Sequence, residues 1–483
     1  MAYTNTPQVS TYKTQRLTLV GSPQQRSPSP TKDQRFVNLY PELIKSPITD
    51  GKKYYLKKRP GLDYVTTIIP GVARGIYYYN GTIYTVIDNR FYANGTLINT
   101  VGTSTGPVGW CEYNGAYNAL IMLDGAVGWV IKDDGTITQI SDPDFPTPHV
   151  RTPVALDGYL FVCRDGTADI YNSDLDDPLS WDSANFISAE MFPDKITALS
   201  KNNNYIYAVG TEAVEYFYDA ALTTGSPLAR NDSAVQQFGS KAAFTVVQTD
   251  NEVILVGDSG NGGNVVWVID GFKATDVSIE PIKEALDAEF DEIANATAMC
   301  LRISGHKFYI LTLAISRRNL VYDFDEKMWS EWFFGTPENP FFVPFATDSK
   351  QGYPYLLHGL TGAVLRMLEE QYVDEPDVST TLDIICTATT VKLDFETINR
   401  KFMYRLSLVG DSPNNNTNCP ISVQWSDDDY NTWSPIRTLN LNGVMPAITR
   451  LGTFRRRAFK FTFAQPYLLR LEAIEVDINV GGT

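Results

Sequence analysis

Apolar and polar positions alternate in short runs along most of the chain, most clearly in RGIYYYNGTIYTVIDNRFYANGTLINTVGT, Arg74 to Thr103. Runs of Ile, Tyr, Val and Thr are separated there by Asn80-Gly81, Asn89-Arg90 and Asn94-Gly95. Asn-Gly supplies the positive φ values that a two-residue hairpin turn requires, and β-branched and aromatic side chains suit a pleated, half-buried surface. The stretch predicts an antiparallel meander. A unit this small cannot bury its faces alone and must stack on others like it.

The pattern returns in segments beginning near Arg74, Pro107, Pro153, Ile196, Ala243 and Thr297, each with two to four strand candidates. A period of about 40 residues with about four strands per unit marks a β-propeller. A further candidate, PYLLHGLTGAVLRML (Pro354 to Leu368), forms either a full blade or one completed by the strand around Asp63 to Ile69, so six or seven blades are expected over residues 66–376. One stretch breaks the period. In SIEPIKEALDAEFDEIANAT, Ile282, Leu286, Phe290 and Ile293 draw an apolar stripe at helical spacing, predicting an inserted amphipathic helix near 280–296. Its acids Glu284, Asp287, Glu289, Asp291 and Glu292 read as a solvated outer face, because no His or Cys accompanies them at ligand spacing.

After VDEPDVST (Val373 to Thr380) the strands lengthen, and Phe459, Phe461 and Phe463 alternate with Lys460 and Thr462, as in a sheet with one buried face. Residues 379–483 therefore predict a separate β-sandwich. Residues 1–65 have little periodicity and include GSPQQRSPSPTKD (Gly21 to Asp33), which cannot continue a helix or a central strand. They read as an extended arm running outside both domains.

Composition agrees with an all-β chain: 12% aromatic residues with 34 Gly and 27 Pro favour short strands and tight turns. The net charge of −16 is uneven, with residues 1–60 carrying +8 and the remaining 423 carrying −24. A basic arm on an acidic body suits docking to an acidic partner or to nucleic acid, and equally a solvated arm, while the body repels phosphate. The N-terminus lacks the apolar core of a secretory signal, and no run approaches the roughly 20 apolar residues of a membrane span, so a soluble, cytosolically made chain without a membrane anchor is expected. Cys111, Cys163, Cys300, Cys386 and Cys419 are scattered singly and predict buried free thiols, with neither zinc nor disulfides.

Nothing points to catalysis, a metal or a cofactor. His149, His306 and His358 lie in unrelated segments, and no HExxH, GxSxG or P-loop pattern occurs. SDDDYNTW keeps Ser426, Asp428, Thr432 and Trp433 of the Asp box of sialidase-type propellers, with Tyr430 in place of its usual Gly. That motif is a hairpin-turn device, so it predicts structure, and a host-glycan binding or depolymerising protein is only the alternative reading. N-x-[ST] triplets at Asn80, Asn94, Asn231, Asn295 and Asn415 read as turn chemistry. Two basic clusters, Lys57, Lys58 and Arg59 and then Arg455, Arg456 and Arg457 in FRRRAFKF, are candidate interface residues, although charge on a solvent-facing strand edge explains the second equally well.

Together the segments FVNLYPE (Phe36 to Glu42), KRPGL (Lys58 to Leu62) with Arg74-Gly75, AVEYFYDAALTTGSPL (Ala213 to Leu228), QFGS (Gln237 to Ser240), the acidic helix from Ser278, NLVYDFDEKMWSEW (Asn319 to Trp332) and TRLGTFRRRAFKFTF resemble the packaged-DNA stabilisation, or tail nozzle, proteins of short-tailed bacteriophages. The Asn-rich loop at Asn414 to Asn418 and the Asp-box-like turn depart from that pattern. The resemblance implies a virion protein made in the host cytoplasm, assembled as a homo-hexamer below the portal and adaptor. It further implies tail spikes or fibres and a needle or plug below, with packaged double-stranded DNA passing through the channel.

Overall fold

The computed structural model describes residues 13–20, 34–44, 53–260, 262–347, 352–413 and 418–481. The expectations for Gly21 to Asp33 and for most of the Asn-rich loop lie outside these residues. The chain divides into two compact units, one of Pro60–Trp329 and Phe333–Leu382, the other of Met1–Arg59, Ser330–Trp332 and Asp383–Thr483.

The first unit is a seven-bladed propeller. Its blades are four-stranded antiparallel sheets whose first strands are Ala73–Tyr79, Gly109–Asn114, Val154–Leu156, Ile196–Asn202, Val247–Gln248, Thr297–Ile303 and Phe345–Thr347. In the first blade Asn80-Gly81 and Asn94-Gly95 take positive φ at both turn residues, as read from the sequence, while the middle turn is Asp88-Asn89, one residue earlier than expected. Each blade buries one face against the next: Val86 and Phe91 of the first meet Leu120, Met122 and Ile131 of the second. Burying each such side chain contributes about 1.5–3 kcal/mol, which is how meanders too small to fold alone become stable in series.

The seventh blade settles the ring. Its strands Phe345–Thr347, Tyr355–Leu357 and Ala363–Leu368 are completed by Gly61–Thr67 from the other end of the unit, with Leu368 opposite Gly61 and Ala363 opposite Thr67. Phe345–Thr347 also lies against both Thr297–Ile303 and Ala73–Tyr79, so the circle is closed. Arg366 pairs with Asp63 at 2.5 Å, and the Leu62 amide donates to the Asp374 carboxylate at 3.2 Å. The propeller thus begins at Gly61 and not at residue 66.

The amphipathic segment is shorter than its pattern suggests. An α-helix spans Glu280–Asp287 and gives way to a 3-10 helix over Phe290–Asn295, so Ile282, Leu286 and Ile293 are buried while Phe290 is 53% exposed. The break lies at Glu289, whose φ of −104° and ψ of 11° are not α-helical, so the stripe is interrupted just before Phe290.

The second unit contains two antiparallel sheets. One joins Ala447–Phe454, Lys401–Gly410 and Arg470–Val480, and continues through Lys53–Lys58 to Leu39–Ile44, with Lys13–Thr18 also along Arg470–Val480. The other runs Arg35–Val37, Cys386–Thr389, Ala458–Phe463, Pro420–Ser426 and Arg437–Asn440. Phe459, Phe461 and Phe463 are buried, as their alternation predicts. The expectation of a separate extended arm over residues 1–65 is corrected: Lys13–Thr18, Arg35–Val37, Leu39–Ile44 and Lys53–Lys58 are strands of this unit, with Leu39, Tyr40 and Leu56 buried, and its last residues open the propeller strand Gly61–Thr67. Pro41 stands inside Leu39–Ile44, which an edge strand permits because no ladder donor is needed on its open side.

Candidate functional site

The six cations singled out as an interface divide sharply in the fold. Lys58, Arg59 and Arg457 are buried, and the expectation that they meet a partner is corrected. Lys58 Nζ donates to the Gln465 carbonyl at 2.8 Å and stands over the Phe463 ring. Arg59 Nε donates to Asn38 Oδ1 at 3.0 Å. Arg457 forms a two-pronged pair with Asp427, at 2.7 and 2.8 Å, and lies 4.2 Å over the Phe454 ring. A guanidinium desolvated this far must have its donors filled from within, so these side chains fix the fold. Lys57 is half-buried beside Glu42, at 3.4 Å. Only Arg455 and Arg456 of the six are exposed; Arg455 donates to the Ile398 carbonyl at 2.8 Å and Arg456 to Asp429 at 3.3 Å.

The Asp-box-like turn is built as a turn. Asp428 Oδ1 accepts from Ser426 Oγ at 2.8 Å and from the Thr432 amide at 2.9 Å, its other oxygen accepts from Thr432 Oγ1, and Tyr430 packs 6.1 Å from Trp433. The Thr432 hydroxyl and amide, with Ser426, hold the Asp428 carboxyl down at about 2. Asp429 and Tyr430 both take positive φ, which is how Tyr430 occupies the place of the motif's glycine. With both carboxylate oxygens committed to the turn, Asp428 is not placed as a sugar-directed acid.

The histidines are structural. His149 is buried with Nδ1 3.1 Å from the Pro146 carbonyl, and desolvation pulls its pKa down to about 4. Burial lowers that of His358 as well. His306 sits 2.8 Å from Asp323 Oδ2, and Asp325 completes a group of metal-ligand type that sequence spacing did not reveal, because strand pairing brings it together. Asp323 Oδ1 already accepts the amides of Asp325 and Glu326, and Asp325 accepts that of Lys307, so the group acts as a staple between two hairpins. Glu289, read from the sequence as solvated, is buried and accepts the amides of Ile315 and Ser316. The five cysteines are free thiols.

Residues of the recognised segments stitch blade to blade. Arg74, fully buried, donates to the carbonyls of Asp88, Thr103, Thr105 and Gly106 and to the Thr103 hydroxyl, tying the first blade to the loop that leads into the second. Desolvation lowers its pKa to about 10, still far above neutrality. Phe238 of the QFGS turn stacks on Trp267 at 4.3 Å, and the Ser240 amide donates to the Gly210 carbonyl at 2.8 Å. No C-β fits at Gly239, where one would stand 2.2 Å from the Thr211 carbonyl carbon.

Charge segregates by unit. The propeller unit carries 18 basic against 42 acidic residues, a net −24, and the other unit 22 against 14, a net +8. Among the described residues no helix is long and apolar enough to cross a membrane.

A family model described as "Phage_stabilise: Bacteriophage P22 Gp10, beta-propeller" matches residues 21–341. The chain belongs to that family. The P22 Gp10 family is one of structural phage tail proteins, which makes this chain a structural component of the virion. Its β-propeller is the fold found above. No curated protein matches the chain. Among solved structures, a streptogramin B lyase is 12% identical with a TM-score of 0.42, over 64% of this chain and 98% of that one. The virginiamycin B lyase of Staphylococcus aureus is 10% identical with a TM-score of 0.42, over 64% and 99%. An exo-beta-1,3-galactanase from Phanerochaete chrysosporium, with galactose, is 11% identical with a TM-score of 0.31, over 85% and 100%.

Proposed function

We propose that this member of the P22 Gp10 family is a tail nozzle subunit, which extends the DNA channel below the portal and adaptor, retains the packaged genome and lets it out on ejection. In this reading it is made in the host cytoplasm and assembles as a homo-hexamer. Head-to-tail adaptors stand above it, and spikes or fibres with a needle or plug below. The observation that carries the reading is the net −24 of the propeller unit. A wall that neutralised phosphates would bind tighter with each counterion released and would stall a moving duplex, whereas an acidic body lets it slide. The inward commitment of Asp428, His149 and the His306 group supports a passive channel over a hydrolase.

Two measurements test this. Particles assembled without the protein should fill with DNA and then leak it, and stable retention of the genome in them would overturn the gate. The purified protein should bind duplex weakly, with an affinity that falls steeply with salt. Tight, salt-insensitive binding would overturn sliding.

A further inference from the structure

The first strand of the chain has the anatomy of a bound peptide. Lys13–Thr18 pairs antiparallel with Arg470–Val480, from Lys13 opposite Ile478 to Thr18 opposite Ala473, and all six of its side chains are exposed or half-buried. Its polar contacts lie at the surface: Thr14 Oγ1 donates to Asp477 Oδ1 and Arg16 to Glu472, both at 2.7 Å. Exposed pairs of this kind hold a strand only weakly. Its inner side is loosely packed, since Gln15 and Leu17 border a groove of about 480 Å³ that Leu393 and Phe395 also line. Full burial comes at its end, where Leu19 and Val20 are 2% and 6% exposed. A backbone ladder with an apolar anchor is how an extended peptide binds a sheet edge.

The edge that receives it is part of the core. Ile474, Val476 and Ile478, opposite Leu17, Gln15 and Lys13, are buried, and Lys401–Gly410 takes the other side of their strand. On the receiving side Lys53–Lys58 reaches only Leu471 and Arg470, so among the described residues positions 473–478 are paired there by Lys13–Thr18 alone. Left vacant, they would present unpaired amides and carbonyls beside apolar side chains, an edge that captures strands. The thirteen residues 21–33, which join the strand to the rest of its chain, include three prolines and no aliphatic or aromatic residue. They offer no apolar surface to bury against their own chain, and at full extension they reach about 45 Å, roughly the width of a domain of this size.

We propose that the edge of Arg470–Val480 is a strand-acceptor site which, in the assembled protein, takes residues 13–20 of a second copy, each chain lending its first strand to a neighbour. This rests on the homo-oligomer of the proposed function and names a contact that ties its subunits. The occupant follows from the fold: the exchanged strand repeats in trans the ladder, the Thr14 and Arg16 contacts and the burial of Leu19 and Val20, so no new complementarity is needed. Shallow seating and a long connection without apolar residues leave a strand's own chain no advantage beyond the tether. Assembly offsets that advantage by holding a neighbour's edge at high effective concentration.

The test places a cysteine on each side of the ladder, T14C/D477C, where the two side chains already touch. The full-length protein is oxidised at high concentration and run on a denaturing gel without reductant. Exchange links each chain to another, so covalent dimers and larger species should replace the monomer band, and reductant should restore it. T14C and D477C alone should stay monomeric, which excludes bridges through the five native thiols. A monomer band that persists under oxidation, or single variants that crosslink as readily as the pair, would overturn the proposal. If the double variant fails to fold, T14C and D477C chains co-expressed take its place. A bridge between positions 14 and 477 then forms only between copies, so a covalent dimer supports exchange and its absence overturns it. The nozzle reading is judged separately, by genome retention in particles.

Discussion

Asn38 and Arg59 hold each other twice: Arg59 Nε donates to Asn38 Oδ1 and the Arg59 amide to the Asn38 carbonyl, both at 3.0 Å. Asn38 also takes positive φ, donates from its side chain to the Ile385 carbonyl, and passes its own amide to Glu331. The segments FVNLYPE and KRPGL, whose Asn38 and Arg59 are 21 residues apart in sequence, are thus two sides of one buried joint.

Arg59→Met should therefore lower stability by about 1.5–3 kcal/mol, the range for a hydrogen bond to a charged group, measured by denaturant unfolding. In a double-mutant cycle with Asn38→Ala the two losses should be less than additive. Reversing Lys58 or Arg59 to Glu acts on folding and so says nothing about docking. Strict additivity in the cycle would refute the joint.

Asp428 makes a pH prediction. Its pKa is depressed from 3.8 to about 2 by donors that exist only in the folded turn. A depressed carboxylate contributes stability that is complete above its unfolded pKa and is lost as pH falls through its folded one. Melting of the wild type and Asp428→Asn should differ most above pH about 4 and converge as pH falls toward about 2. A difference independent of pH across that window would contradict the assignment.

Gly61 begins the strand that closes the seventh blade, and a C-β there would stand 2.1 Å from the Val373 carbonyl oxygen. Backbone cannot step aside as a flexible side chain can, so Gly61→Ala should cost about 1–3 kcal/mol or more. The loss should be local: hydrogen exchange should rise first in Ala363–Leu368, its ladder partner. Protection unchanged in that strand would mean that closure does not depend on Gly61.

Much of the propeller was legible in the chain because its determinants are local. Asn80-Gly81 and Asn94-Gly95 dictate their turns by backbone sterics alone, and six of the blades begin within a few residues of the positions read from alternation. The alternation of Phe459, Phe461 and Phe463 likewise announced a half-buried strand before its neighbours were known. The family resemblance came from an ordered set of such segments, for the same reason.

What tertiary structure alone decided was the use of residues whose partners are far away in sequence. Lys58 and Arg59 look like surface charges in a string and become buried anchors because Gln465 and Asn38 are brought to them. The sequence leaves open whether Pro354 to Leu368 is a full blade or is completed by the strand around Asp63 to Ile69; Gly61–Thr67 does complete it, with partners about 300 residues on, a choice that alternation cannot make because every half-buried strand offers the same pattern. His306 and Asp323 meet only through strand register, and Phe290 leaves the helical stripe where the α-helix ends at Asp287 and Glu289 departs from helical geometry. Local sterics and burial periodicity write themselves into consecutive residues; pairing, closure and the fate of a charge depend on which distant surface arrives, and the folded chain alone supplies that.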